Sequence, residues 1–126
     1  HRGTPEAPGR VVTLVASPGA SCVGMAYCIE ESVFEHLDHR EKNGYRRFDA
    51  PMYLATGRVV TGTVYIASED NHAFLGPAEL TEIAAQIERS HGPSGANRDY
   101  LLELARSLRE LETEDEHVFS LAAMLE

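Results

Sequence analysis

The hydrophobic period changes midway along this chain, and that change limits the folds open to it. Up to Ser68 the apolar residues come as β-branched runs separated by turn residues; from Gly76 onward they recur at helical spacing. Four runs read as strands: Arg10 to Ala16, Cys22 to Ile29, Tyr45 to Leu54 and Arg58 to Ser68. Ser17-Pro18-Gly19-Ala20 is the turn between the first two, and Thr56-Gly57 the turn between the last two. Pro51 cannot donate to a ladder, which marks the third run as an edge strand or a bulged one. The second run, CVGMAYCI, is almost wholly apolar, so it is expected to be covered on both faces. Ser32 with Glu35 is a capping box for a short helix between the second and third runs.

Past Gly76-Pro77 three helical stripes follow. Leu80, Ile83, Ala84 and Ile87 form the first, and Leu101, Leu104, Ala105 and Leu108 the second, with Asn97 as its expected cap. Thr113 with Glu116 makes a capping box ahead of the third, Val118, Leu121, Ala122 and Leu125. Such stripes bury a helix face and imply no cofactor. Strands followed by helices argue for one α+β domain, with helices packed on a largely antiparallel sheet or small barrel. A chain of 126 residues is long enough for one such core.

The charge distribution narrows the partners. The first 63 residues balance seven Lys/Arg against seven Asp/Glu, and the last 63 carry four against thirteen, so the net charge of −9 lies in the second half. That opposes nucleic-acid binding, which draws on a basic surface; solvated acidic helix faces account for it. No apolar run approaches the roughly 20 residues that span a bilayer, and His1 to Arg10 lacks the character of a secretory signal. The chain opens on His, as a processed product or fragment does. Cys22 and Cys28 stand about 20 Å apart if their run is a strand, beyond disulfide reach. They are expected to be buried thiols in a reducing, cytoplasmic setting.

The chemistry concentrates in Leu37-Asp38-His39-Arg40-Glu41-Lys42-Asn43-Gly44-Tyr45. A helix striped by Val33, Phe34 and Leu37 stops at Asn43-Gly44, which leaves Glu41 at its negative pole. A carboxylate there has two explanations: proton transfer, or ion pairing with Arg40, Lys42, Arg46 or Arg47. His36, Asp38, His39 and Glu41 are poorly spaced for a metal, and no third ligand falls beside His36 and His39. Ser94 lies in a Gly-Pro-Ser-Gly turn without the strand–elbow–helix context of a nucleophile, which favours the turn. No glycine-rich phosphate loop is present, so no nucleotide cofactor is expected. His1 to Arg10, rich in Pro and Gly, is either an ordered lead-in to the first strand or the rim of a substrate mouth.

Taken in order, HRGTP at 1–5, GRVVTLV from Gly9, GMAY from Gly24, LDHREKNGYRR from Leu37, DN at Asp70-Asn71, LGPA from Leu75 and HGPSGANRDYLL from His91 resemble the ChaC family of glutathione-specific γ-glutamylcyclotransferases. The resemblance runs over essentially the whole chain. It implies a small mixed β-barrel with peripheral helices. It also implies a lyase that converts glutathione to 5-oxoproline and cysteinylglycine; the motifs and spacings above lead to no expected cofactor or metal. The family's acid/base glutamate falls on Glu41, while Tyr45, Arg46, Ser94 and Asn97 become substrate-positioning candidates. The family's upstream strand, ending in a Tyr-Gly-Ser-Leu loop, has no counterpart in these residues. The chain is therefore expected to be truncated at its N-terminus. Each missing oxyanion donor is worth about 10²–10³-fold, and an opened strand edge invites a second chain. A catalytically impaired γ-glutamyl-binding or homodimerising module is thus the alternative expectation.

Overall fold

The computed structural model describes residues 1–42, 44–67, 69–71 and 74–126, with the side chains of 38–42 outside that description. Its elements are α1 (Glu31–Lys42), β1 (Tyr45–Tyr53), β2 (Val59–Ala67), α2 (Leu80–Arg89), β3 (His91–Gly92), β4 (Gly95–Ala96), α3 (Asn97–Glu110) and α4 (Glu116–Leu125). They fall into two compact units. One holds His1–Val12, Cys22–Gly24 and Pro77–Glu126; the other holds Thr13–Ser21 and Met25–Gly76.

The helical unit contains the apolar core. Ile83, Ala84 and Ile87 of α2, Leu101 and Ala105 of α3, and Val118, Leu121, Ala122 and Leu125 of α4 form one buried cluster. All three stripes expected from the spacing face inward, because a period of 3.6 places those positions on one side of each helix. Ala105 and Ala122 are fully buried, and side chains that small let helices approach closely. Fully burying one leucine, such as Leu121, stabilises by about 1.5–3 kcal/mol. The outer face of α3 is charged: Arg106 donates to Glu103 at 2.6 Å and to Glu110 at 3.3 Å. The hydrogen bond to Glu103, reinforced by the charges of both carboxylates, holds the Arg106 guanidinium above its usual pKa.

The other unit is built on the antiparallel pair β1–β2, in register from Tyr45 opposite Ala67 to Tyr53 opposite Val59. Pro51 lies opposite Thr61, and in a two-stranded sheet each strand is an edge, so its missing N–H costs nothing. Gly57, at φ 89°, makes the turn between the strands. Helix α1 packs on β1.

Several expectations are corrected. Residues 10–16 and 22–29 are extended but belong to no ladder. Among the described residues the sheets are β1–β2 and β3–β4 only, and they close no barrel. The two runs have strand composition, but β-propensity expresses itself only against a paired neighbour. Their apolar side chains are exposed, Val15 at 76% and Tyr27 at 77%. Cys22 and Cys28 are exposed free thiols for the same reason. The expected caps also move. α1 begins at Glu31, so Ser32 lies inside it. Asp115 rather than Thr113 caps α4, accepting from the Val118 N–H at 3.0 Å. Ala96 is the N-cap of α3, and its methyl group makes no cap bond; Asn97, the expected cap, is the first helical residue, with its amide engaged elsewhere.

Candidate functional site

The candidate residues divide between the two units. In the sheet unit, α1 brings the Leu37 to Lys42 string to its last turn. The chain then reverses through Gly44 at φ 91° into β1. Only glycine adopts that backbone conformation freely. The Glu41 side chain lies outside the described residues, as do those of Asp38, His39, Arg40 and Lys42. Tyr45, half-buried, opens β1 opposite Ala67. The Ala67 N–H donates to Thr13 Oγ1 at 2.9 Å, so this end of the ribbon is tied to residue 13.

Arg46 is exposed, and its Nη2 donates to Asp70 Oδ2 at 3.1 Å. With both side chains about two-thirds exposed, that ion pair adds little stability. Arg47 stacks its guanidinium 4.9 Å from the centroid of the Phe34 ring, a cation–π contact that ties β1 to α1. Asn71 is 5% exposed. Its side chain lies so close to Gly44 that a Cβ there would stand 3.0 Å from the Asn71 amide carbon and nitrogen.

In the helical unit, Ser94 and Asn97 both engage the lead-in, through different atoms. The Ser94 main-chain N–H donates to the His1 carbonyl at 2.8 Å, while Ser94 itself is exposed at the tip of the β3–β4 hairpin. Asn97 is fully buried. Its Oδ1 accepts from the Arg10 N–H and its Nδ2 donates to the Arg10 carbonyl, each at 2.7 Å. Both ends of the amide are thus committed to main chain.

Two further residues complete this clamp. Gln86 Nε2 donates to the Pro8 carbonyl at 2.8 Å, and Gln86 Oε1 accepts from Arg10 Nε at 2.8 Å. Ser90 Oγ lies 3.0 Å from the same Pro8 oxygen. Arg2 donates to the Ala96 carbonyl at 3.3 Å and lies 5.7 Å from the centroid of the Tyr100 ring. The lead-in is therefore an ordered strap held along its length. No sequence signal marked Gln86 and Ser90, because a polar residue beside an apolar stripe usually just faces water.

Tyr45 and Arg46 thus share a unit with the end of α1, and Ser94 and Asn97 share the other. Among the described residues, no group of three or more His, Cys, Asp or Glu could hold a metal ion, and no helix is long and apolar enough to cross a membrane.

Comparison with known proteins gives a consistent answer. Gamma-glutamylcyclotransferase 2-3 of Arabidopsis thaliana is 44% identical over 97% of this chain and 67% of its own length. Glutathione-specific gamma-glutamylcyclotransferase 1 of Danio rerio is 40% identical over 99% of this chain and 69% of its own. The chain spans about two thirds of the length of such curated relatives. A crystal structure of the yeast gamma-glutamyl cyclotransferase specific to glutathione superposes with a TM-score of 0.72 at 29% identity, covering 99% of this chain and 80% of that one. The family model described as ChaC-like protein matches residues 1–126. With that match over its whole length, the chain belongs to the ChaC-like family.

Proposed function

We propose that this chain is a glutathione-specific γ-glutamylcyclotransferase, releasing 5-oxoproline and cysteinylglycine by intramolecular aminolysis, with Glu41 as the acid/base. The observation that carries the proposal is the alignment, across 99% of this chain, with a relative named for glutathione. In this reading residues 1–126 act as one γ-glutamylcyclotransferase-like domain.

The chemistry follows from the substrate. At neutral pH the α-amino group of a γ-glutamyl peptide is largely protonated and cannot attack. Glu41 takes that proton, and the freed amine attacks its own γ-carbonyl. A tetrahedral intermediate forms and closes the five-membered ring. As the γ-carbonyl C–N bond breaks, the protonated carboxyl returns its proton to the departing nitrogen, and the second proton shed by the ring nitrogen passes to the same amine, which leaves as the ammonium of cysteinylglycine, so Glu41 ends as it began. One carboxyl acting both ways is worth about 10²–10⁴-fold. Holding amine and carbonyl in near-attack geometry adds up to about 7–11 kcal/mol in favourable cases. Tyr45 and Arg46, beside the end of α1, are assigned to position the substrate, as is the exposed Ser94. Asn97, with its amide occupied, serves through the strap it holds. The unpaired Cys22 and Cys28 fit a reducing compartment, and we assign the cytoplasm.

The test is 5-oxoproline release from glutathione. Glu41→Gln is expected to lower turnover by about 10²–10⁴-fold, and a Glu41→Gln chain that turns over at the parent rate overturns the role of Glu41. A second reading, a γ-glutamyl-binding module that pairs with another copy, is favoured by the exposed apolar residues Val11, Val12, Leu14, Val15, Val23 and Met25. Calorimetric binding of a γ-glutamyl ligand without turnover would select it.

A further inference from the structure

We propose that the Asp70–Asn71 turn is a brace fixing the end of α1, with Asn71 a positioning residue for the carboxyl group at Glu41. The inference rests on the acid/base role given to Glu41 above. Two consecutive turn residues meet the two positions that flank Tyr45: Asn71 packs on Gly44, and Asp70 accepts from the exposed Arg46 guanidinium at 3.1 Å. The Phe74 N–H donates to the Asn71 carbonyl at 2.9 Å.

Gly44 is constrained twice. Its φ of 91° excludes most side chains, and a Cβ would meet the Asn71 side chain at 3.0 Å. The Asn71 side chain thus fills the space that a side chain at position 44 would need, and the backbone just beyond α1 lies against it. The burial has the same sense. Among the described residues three polar side chains are buried, Asn71, Ser90 and Asn97. Ser90 and Asn97 hold the strap in the helical unit. Asn71 is the one in the unit that carries α1, and its packing against Gly44 gives that buried amide a structural task. Directing the last turn of α1 is such a task, because an acid/base displaced by about 1 Å can lose about 10²-fold in rate.

The experiment uses the full chain with Asn71→Ala, Gly44→Ala and the double substitution. Circular dichroism and the unfolding midpoint confirm that each is folded. Asn71→Ala is expected to lower kcat by about 10–100-fold while KM stays within about twofold. The double variant should lose less than the product of the single losses, because removing Asn71 relieves the crowding at position 44. Independent of turnover, hydrogen exchange at the main-chain amides of His39 to Lys42 should accelerate in Asn71→Ala, with the β1–β2 ladder amides unchanged.

Parental kcat, multiplicative losses in the double variant, or unchanged exchange in α1 would each overturn the brace. Turnover that survives Glu41→Gln instead removes the acid/base role, and the exchange measurement then decides the brace by itself.

Discussion

Replacing Asn97 with alanine tests the strap most directly, because the structure fixes what is lost. The fully buried amide accepts one hydrogen bond from the Arg10 N–H and donates one to the Arg10 carbonyl, both at 2.7 Å. Alanine removes both and leaves two main-chain groups without those partners, at about 1–3 kcal/mol each. Arg10 is only half-buried, so water recovers part of that, and the expected net loss is about 2–4 kcal/mol. For a chain of this size the midpoint should fall by about 10 °C.

Asn97→Asp sharpens the test. Aspartate keeps the acceptor for the Arg10 N–H but sets a second oxygen against the Arg10 carbonyl. Only the protonated acid can donate there, so folding favours the protonated form and raises the carboxyl pKa above its unfolded value of about 3.9. The sign is then fixed. Stability of Asn97→Asp is greatest below the unfolded pKa and is lost as pH rises through the higher folded value. Thermal and urea unfolding of both variants between pH 3 and pH 7 makes the measurement, with the parent chain as reference. A midpoint for Asn97→Ala within about 1 °C of the parent, or an Asn97→Asp chain whose penalty does not shrink as pH falls, would refute the two-bond clamp.

Two other substitutions probe the same unit. Leu121→Ala, at 3% exposure inside the three-helix cluster, should cost about 2–5 kcal/mol in urea unfolding, and a loss under about 1 kcal/mol would mean that the core is not packed as described. Gly92→Ala should loosen the strap, because a Cβ there would collide with the His1 carbonyl and stand 2.5 Å from the Gly3 nitrogen. Faster protease cleavage within residues 1–10 is the expected readout, and parental resistance would count against the contact.

What the sequence determined by itself was local. The three apolar stripes of α2, α3 and α4 were legible because a helix satisfies its own backbone, so spacing alone names the buried face. β1 and β2 were legible because a short turn makes each the other's neighbour. Asn43-Gly44 marked the helix stop, and Gly44 does take the positive φ that a chain reversal asks of glycine. The family strings carry Glu41, Tyr45, Arg46, Ser94 and Asn97 as candidates.

What only the tertiary structure decided was long-range. A strand needs a partner that its own residues do not specify, so RVVTLVA and CVGMAYCI read as strands while the described ladders exclude them. Asn97 looked like a helix cap because Asn at a helix start usually is one. Its amide turned instead to Arg10, 87 residues away. The contact of Asn71 with Gly44 and the grip of Gln86 and Ser90 on Pro8 likewise leave no trace in local spacing. Hydrogen bonds and hard contacts between distant segments depend on where the chain has already gone, and that is settled by packing.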